Sequence, residues 1–332
     1  MTGRLANVAL LVVVPLAAAS GLAMFLLGSG PVLAVAVLHG LVGLTVVVLV
    51  PWKSVVVRRG LKRARGPRLA TSLALGAVVV LALVTGVAHL GGILVAGSPL
   101  TSLQVHVGAG VVAVALTLVH ARQRRIRARR GDLSRRSLLR LGLLASTAGV
   151  LDAGVRVAGA RTVLRGVRQP TGSFRLASSS VAAIPGTSWL FDRIPAVDAQ
   201  SWRLAVTAGG VSREWSLADL SRWDDRLTAV LDCTGGWWTE QEWSGVRVAR
   251  LLPPGTGGSV EVTSATGYSR RLPLTEDLLL ATAIGGVPLS AAHGFPARLV
   301  VPGRRGYHWV KWVAGISHDD RPWWVEPPLP LQ

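Results

Sequence analysis

Cys233 is the only cysteine among 332 residues. It stands in the run Leu231-Asp232-Cys233-Thr234-Gly235-Gly236-Trp237-Trp238. A β-rich stretch, Leu227–Leu231, leads straight into Cys-x-Gly-Gly, which puts the sulfur at a strand end beside backbone that carries no side chains. That placement suits a soft metal ligand or a nucleophile. A nucleophilic thiol would want an imidazole, and His293, His308 and His318 lie in the same half of the chain. A buried, inert thiol is the plain alternative. A single cysteine excludes an intrachain disulfide and a thiolate cluster.

Four further imidazoles, His39, His89, His106 and His120, lie among apolar residues. Gly30-Pro31 precedes His39-Gly40 and Gly43, and Ser98-Pro99 precedes His106, Gly108 and Gly110. A histidine seven or eight residues past a helix-starting proline sits roughly 10–12 Å along the helix. Ionisable groups at such depth in hydrocarbon are costly and usually functional. Two imidazoles at equal depth on different helices suit bis-His ligation of a b-type haem. His39 and His106 are the expected pair, with His89 as substitute. His120 would mark a second haem, but the matching place on the second span is Lys53. Interfacial or interhelical hydrogen bonding is the alternative.

The elements that must position these residues differ sharply between the two halves. Residues 1–168 hold 21 Lys and Arg but only two acids, Asp132 and Asp152; residues 169–332 hold 15 of each sign and eleven of the twelve Trp. The basic excess lies between runs of Leu, Val and Ala rather than on a polar surface, so no nucleic-acid partner is expected. Ala6–Leu27, Val32–Val50, Leu69–Leu90 and Pro99–Val119 contain no charged residue. Each approaches the ~20 residues that cross a bilayer. Basic residues crowd Trp52–Arg68 and His120–Arg136, whereas Gly28–Pro31 and Gly91–Ser98 carry no charge. Basic loops stay cytoplasmic. The expectation is a multi-pass plasma-membrane protein in contact with lipid, its N-terminus cytoplasmic and its C-terminal domain extracytoplasmic.

Ser134-Arg135-Arg136-Ser137-Leu138-Leu139-Arg140 followed by the mildly apolar Leu141–Leu151 resembles a twin-arginine export signal. It would act as a fifth helix and would make the twin-arginine machinery a partner. Ala158-Gly159-Ala160 resembles a signal-peptidase site, and a retained anchor is the expected outcome. That route carries folded domains with cofactors acquired in the cytoplasm, so the resemblance implies a cofactor in the second half. The expected division is a four-helix transmembrane domain at 1–133, the fifth helix at 134–160, a polar linker at 161–185 and a folded domain at 186–332. Strands are predicted at Trp202–Thr207, Leu227–Leu231, Ser259–Thr263, Arg298–Val301 and Trp309–Val313. Short helices are predicted at Leu217–Leu220 and Leu278–Ala283. This mixture makes an α+β domain.

Phe191–Trp324 resembles the molybdopterin-binding domain of the sulfite oxidase family. The carriers are Trp202-Arg203-Leu204, Gly209-Gly210, Cys233-Thr-Gly-Gly with Trp243-x-Gly245-Val, Ser264-x-x-Gly267-Tyr268, and His293-Gly294-Phe295-Pro296-Ala297-Arg298 running into Val301-Pro302-Gly303, Gly306-Tyr307 and Val310-Lys311-Trp312. The resemblance implies a Mo-molybdopterin cofactor with Cys233 as the protein's sulfur ligand to molybdenum. It also implies cofactor contacts from His293, Arg298 and Lys311, and from Thr263 or Ser264. Arg304 and Arg305 are phosphate partners by charge, with a solvated turn as the alternative. The Arg-Asn-His triplet of sulfite oxidases is replaced by Ser188-Trp189-Leu190-Phe191-Asp192-Arg193. The implied function is a membrane-anchored oxidoreductase doing oxygen-atom transfer or related two-electron chemistry on a small molecule. It would exchange electrons with a quinone or a redox-partner protein. A non-catalytic binding or assembly module on a membrane b-type cytochrome is the alternative.

Overall fold

The computed structural model describes every residue except 1, 29–31, 62–65, 92–100, 124–133, 162–167, 177–179, 189–191, 276 and 328–332. All but the first residue of each uncharged connection, most of the second basic connection, and Trp189-Leu190-Phe191 of the segment that replaces the triplet therefore lie outside the described residues. The chain divides into two compact units, Met1–Phe174 and Arg175–Gln332.

The first unit is all-α: α1 (Gly3–Leu26), α2 (Val32–Leu61), α3 (Pro67–Gly91), α4 (Ser102–Gln123) and α5 (Arg135–Arg161). All five are long and apolar enough to cross a membrane. Leu, Val and Ala point outward as well as inward, as a lipid-facing bundle requires. The second helix runs past the uncharged stretch Val32–Val50, through Pro51 and the basic residues, to Leu61. Arg and Lys are good helix formers, and they complement the dipole at a helix C-terminus.

Polar contacts between helices are few and specific. Asp152 on α5 is buried and accepts from Arg156 Nε at 2.6 Å, while Arg156 Nη2 donates to the Ala36 carbonyl of α2 at 2.8 Å. Gly40 makes room for this pair, since a Cβ there would overlap the Asp152 carboxylate. Beyond α5, Arg168 donates to the His89 carbonyl and Phe174 packs edge-on against the His89 ring at 5.1 Å.

A two-residue strand, β1 (Phe174–Arg175), falls at the unit boundary. The second unit contains β2 (Arg203–Ala208), β3 (Val211–Ser216), α6 (Leu217–Leu220), β4 (Asp225–Asp232), β5 (Trp237–Arg247), β6 (Ser259–Ser264), β7 (Ser269–Pro273), β8 (Leu279–Ile284), β9 (Val287–Pro288), β10 (Arg298–Val300) and β11 (Val313–Asp319). One sheet has the order β3-β2-β11-β6-β7, with β2 and β11 parallel. In the other, β5 lies between β4 and β8, and β8 also pairs with β10. Gly209 and Gly210 both have positive φ, as a two-residue hairpin turn between β2 and β3 demands. The core between the sheets includes Leu204, Trp243, Leu280, Leu299 and Ile316, all fully buried.

Two sequence expectations fail here. Leu278–Ala283 is not a helix: Leu279–Ile284 is the β8 strand, paired on both sides. A continuous apolar run reads equally as buried helix or buried strand, and its pairing decides. Trp309–Val313 is not a strand; β11 begins at Val313, because Trp312 adopts φ 51° and breaks the extended run. The segment expected as linker is partly built into the fold, since Ser173 is buried and Ile184 belongs to the core of the second unit.

Candidate active site

The β4–β5 hairpin turns at Cys233–Gly236. Cys233 N–H donates to the Trp237 carbonyl at 2.9 Å and Gly236 N–H to the Cys233 carbonyl at 3.1 Å. This fixes the cysteine backbone at the strand end. The sulfur, in a residue 9% exposed, accepts from Gly235 N–H at 3.3 Å and lies 3.5 Å from the Thr187 hydroxyl. None of His293, His308 and His318 hydrogen-bonds to it. His293 is tied by Nδ1 to the Ser290 hydroxyl at 3.0 Å and by Nε2 to the Ile184 carbonyl at 2.9 Å, and His318 Nε2 meets the Gly257 carbonyl. The imidazole-activated nucleophile therefore has no geometric support.

Two cations converge on the same place. Gly294, at φ 110°, is flanked by Arg298 and Lys311; a Cβ on it would stand 3.1 Å from Arg298 Cβ and 3.2 Å from Lys311 Cβ. Leu299 N–H donates to the Val310 carbonyl, which locks the two basic residues onto adjacent backbone. Arg298 is 4% exposed and donates through Nη1 to the His293 carbonyl at 3.3 Å, while its Nε has no partner among the described residues. Burial holds its pKa down at about 10, with the Cys233 charge acting in the opposite direction. Its guanidinium lies over Trp243 and Trp309, with centroids at 5.4 and 5.7 Å. Lys311 Nζ donates to the Thr187 carbonyl at 2.7 Å and to the Ala292 carbonyl at 2.5 Å. Burial and then the Arg298 charge lower its pKa to about 7, opposed by Cys233 and Asp192.

The remaining expected residues are distributed as follows. Ser264 ends β6 opposite Val313, and the next residue, Ala265, donates to the Trp312 carbonyl. Thr263 and Ser264 thus border the Lys311–Trp312 segment. Arg305 is buried and ion-paired to Asp232, so the solvated-turn reading fails for it. Arg304 is half-buried, its guanidinium 4.8 Å from the Trp323 ring centroid. Sequence reasoning missed Thr187, Asp232 and the Ala292 carbonyl. Only Asp232 had a signal, as the neighbour of the lone cysteine.

A buried thiol that accepts from Gly235 N–H, two cations on neighbouring backbone and an orphaned guanidinium nitrogen suit a ligand that offers a soft metal and an anion. The donor set therefore fits a molybdenum–pterin phosphate cofactor.

In the membrane unit, the His39 and His106 rings stand 5.9 Å apart between centroids and nearly perpendicular. His39 Nδ1 contacts the Ser20 hydroxyl at 3.0 Å and His106 Nδ1 the Ala82 carbonyl at 2.7 Å. His89 is engaged elsewhere, with Nε2 3.1 Å from the Gly172 carbonyl and Nδ1 3.5 Å from the Ser102 hydroxyl. His120 lies on α4 with Nδ1 3.5 Å from the Ser72 hydroxyl.

Comparison with known proteins bears on the domain that holds these residues. Residues 192–324 match the Oxidoreductase molybdopterin binding domain family. The chain is 29% identical over 165 residues to mitochondrial sulfite oxidase of Rattus norvegicus, covering 37% of this chain and 30% of that protein. It is 30% identical over 174 residues to sulfite oxidase of Gallus gallus, covering 39% and 38%. The solved structure of sulfane dehydrogenase SoxCD from Paracoccus pantotrophus aligns at 26% identity over 39% of this chain and 40% of that chain, with TM-score 0.36. The chain spans about a third of the length of the curated relatives it matches. Behind its membrane unit, the chain carries a molybdopterin-binding domain of the sulfite oxidase family.

Proposed function

We propose that this chain is a membrane-anchored, molybdopterin-dependent oxidoreductase that carries out oxygen-atom transfer or a related two-electron reaction on a small molecule outside the cytoplasm. The observation that carries the reading is the Cys233 thiol, buried at a strand end and facing Thr187, whose carbonyl holds Lys311, with Arg298 on the backbone adjacent to Lys311. Cys233 would hold the molybdenum, and Arg298 and Lys311 the pterin phosphate, with His293 bracing Arg298 through its carbonyl. When bound, the group supplies exchange of an oxygen atom and an electron pair, with water as oxygen source or sink. The chain's own part is to hold the thiolate still. Gly235 N–H orients the sulfur, and the Arg298 guanidinium, lying over the Trp243 and Trp309 rings, and the Lys311 ammonium offset negative charge.

The membrane unit anchors the domain and exchanges electrons with a quinone or a redox-partner protein. The Asp152–Arg156–Ala36 contacts support α5 as a retained helix, and its entry by the twin-arginine machinery rests on the Arg135-Arg136 motif. His39 and His106 are the residues that would hold a b-type haem. Each has Nδ1 tied to an oxygen, which leaves Nε2 for iron, and Gly21 and Gly86 clear the space beside the rings. Purified full-length chain should contain stoichiometric molybdenum and pterin. Cys233→Ala should lose the molybdenum–thiolate signal and all turnover of S-oxides, N-oxides or sulfite. A stable exported chain without molybdenum or pterin would instead favour a binding or assembly module.

A further inference from the structure

Asp232 and Arg305 both lie below 10% exposure directly behind the cysteine. Arg305 Nη1 donates to Asp232 Oδ1 at 2.5 Å, and Nη2 donates to the Cys233 carbonyl at 3.3 Å. The two backbones form a parallel bridge at the same residues. Gly306 extends the contact, since a Cβ there would meet the Asp232 carbonyl and Cys233 Cα at 3.3 Å each. One guanidinium therefore grips both the side chain before the cysteine and the cysteine's own carbonyl. Arg298 and Lys311 differ in kind, because their hydrogen bonds go to backbone carbonyls and neither is bridged to a carboxylate among the described residues. Of the three cations around Cys233, Arg305 is the one bridged to a carboxylate among the described residues.

We propose that the Asp232–Arg305 ion pair positions the Cys233 thiolate and sets the reduction potential of the metal it holds. Arg305 is a positioning residue that fixes the cysteine backbone, and Asp232 keeps that fixed cation from adding its field to the site. The inference rests on the assignment of Cys233 as the molybdenum ligand. Each electron added makes the centre more negative, so a nearby uncompensated cation favours reduction and a nearby uncompensated anion opposes it. In a poorly polarisable interior such a field is weakly screened.

The test is a redox titration of full-length holoprotein, followed by the electron paramagnetic resonance of molybdenum. Asp232→Asn removes the carboxylate bridged to Arg305 and should raise the potential. Arg305→Gln removes the cation bridged to Asp232 and should lower it. Each change is expected to be about tenfold in the one-electron equilibrium, about 59 mV. The double variant D232N/R305Q should load cofactor and return to the wild-type potential. Arg305→Lys should keep the potential but alter the molybdenum–sulfur signature, because it keeps the charge and loses the fork. Loaded single variants that hold the wild-type potential, or shift in the same direction, overturn the proposal. So does a double variant that fails to load. Cys233→Ser separates the two assignments: if the protein-sulfur signal survives there, the ligand assignment itself is wrong. If it is lost while the ion-pair variants do not shift, only the role of the pair falls.

Discussion

The ammonium of Lys311 is anchored to the carbonyl of Thr187 at 2.7 Å, and the hydroxyl of the same Thr187 lies 3.5 Å from the Cys233 sulfur. One residue, 46 positions before the cysteine, thus joins the cation to the thiol. The site is assembled from the loop at Thr187, the β4–β5 turn, and the backbone on either side of β10.

Lys311 makes the site pH-dependent. Its pKa is lowered from 10.5 to about 7, so between those values the unfolded chain holds a proton that the folded chain does not. Stability contributed by this group therefore rises with pH across that window and is lowest below pH 7. In thermal unfolding of cofactor-free chain, Lys311→Met should be more stable than wild type near pH 6. That advantage should shrink steadily toward pH 10. Anion binding runs the other way, weakening as the ammonium deprotonates, and Lys311→Arg should flatten it.

Arg298 should trade stability against cofactor. It is a buried cation with an unpartnered Nε and no carboxylate bridged to it among the described residues. Replacing a poorly compensated buried charge with an apolar side chain of similar length is often neutral or stabilising by about 1–4 kcal/mol. Arg298→Met should match or exceed the wild-type melting temperature without cofactor, yet bind less than a tenth as much pterin. Pterin analysis and calorimetry of the same preparation check both halves.

Gly40 is the test of how α5 is held. Its missing Cβ leaves space for the Asp152 carboxylate. Gly40→Val should overpack this contact and cost about 1–3 kcal/mol, read as a lower unfolding temperature in detergent. Asp152→Asn should cost less, because the shape is kept.

The imidazoles should separate by function. Detergent-purified protein should show a b-type haem spectrum that His106→Ala abolishes and His120→Ala retains. Absence of haem from protein shown to contain molybdenum would leave the five helices as an anchor or a docking site.

The sequence by itself determined the membrane bundle, because crossing hydrocarbon imposes a length and a composition that local residues must satisfy alone. It also determined the strand before Cys233, where a β-rich run leads straight into Cys-x-Gly-Gly. It did not separate strand from helix in Leu278–Ala283, since periodicity is silent when both faces are buried, and only pairing to β5 and β10 made that run a strand. The site divides the same way. Cys233 drew notice as the lone thiol at a strand end, and the family resemblance supplied Arg298 and Lys311. The bond from Thr187 to Lys311, the ion pair of Asp232 with Arg305, and the engagement of His293 by Ser290 and Ile184 were not legible there. Those contacts span up to 124 residues, and which partner satisfies a buried polar group is decided only when the chain closes around it.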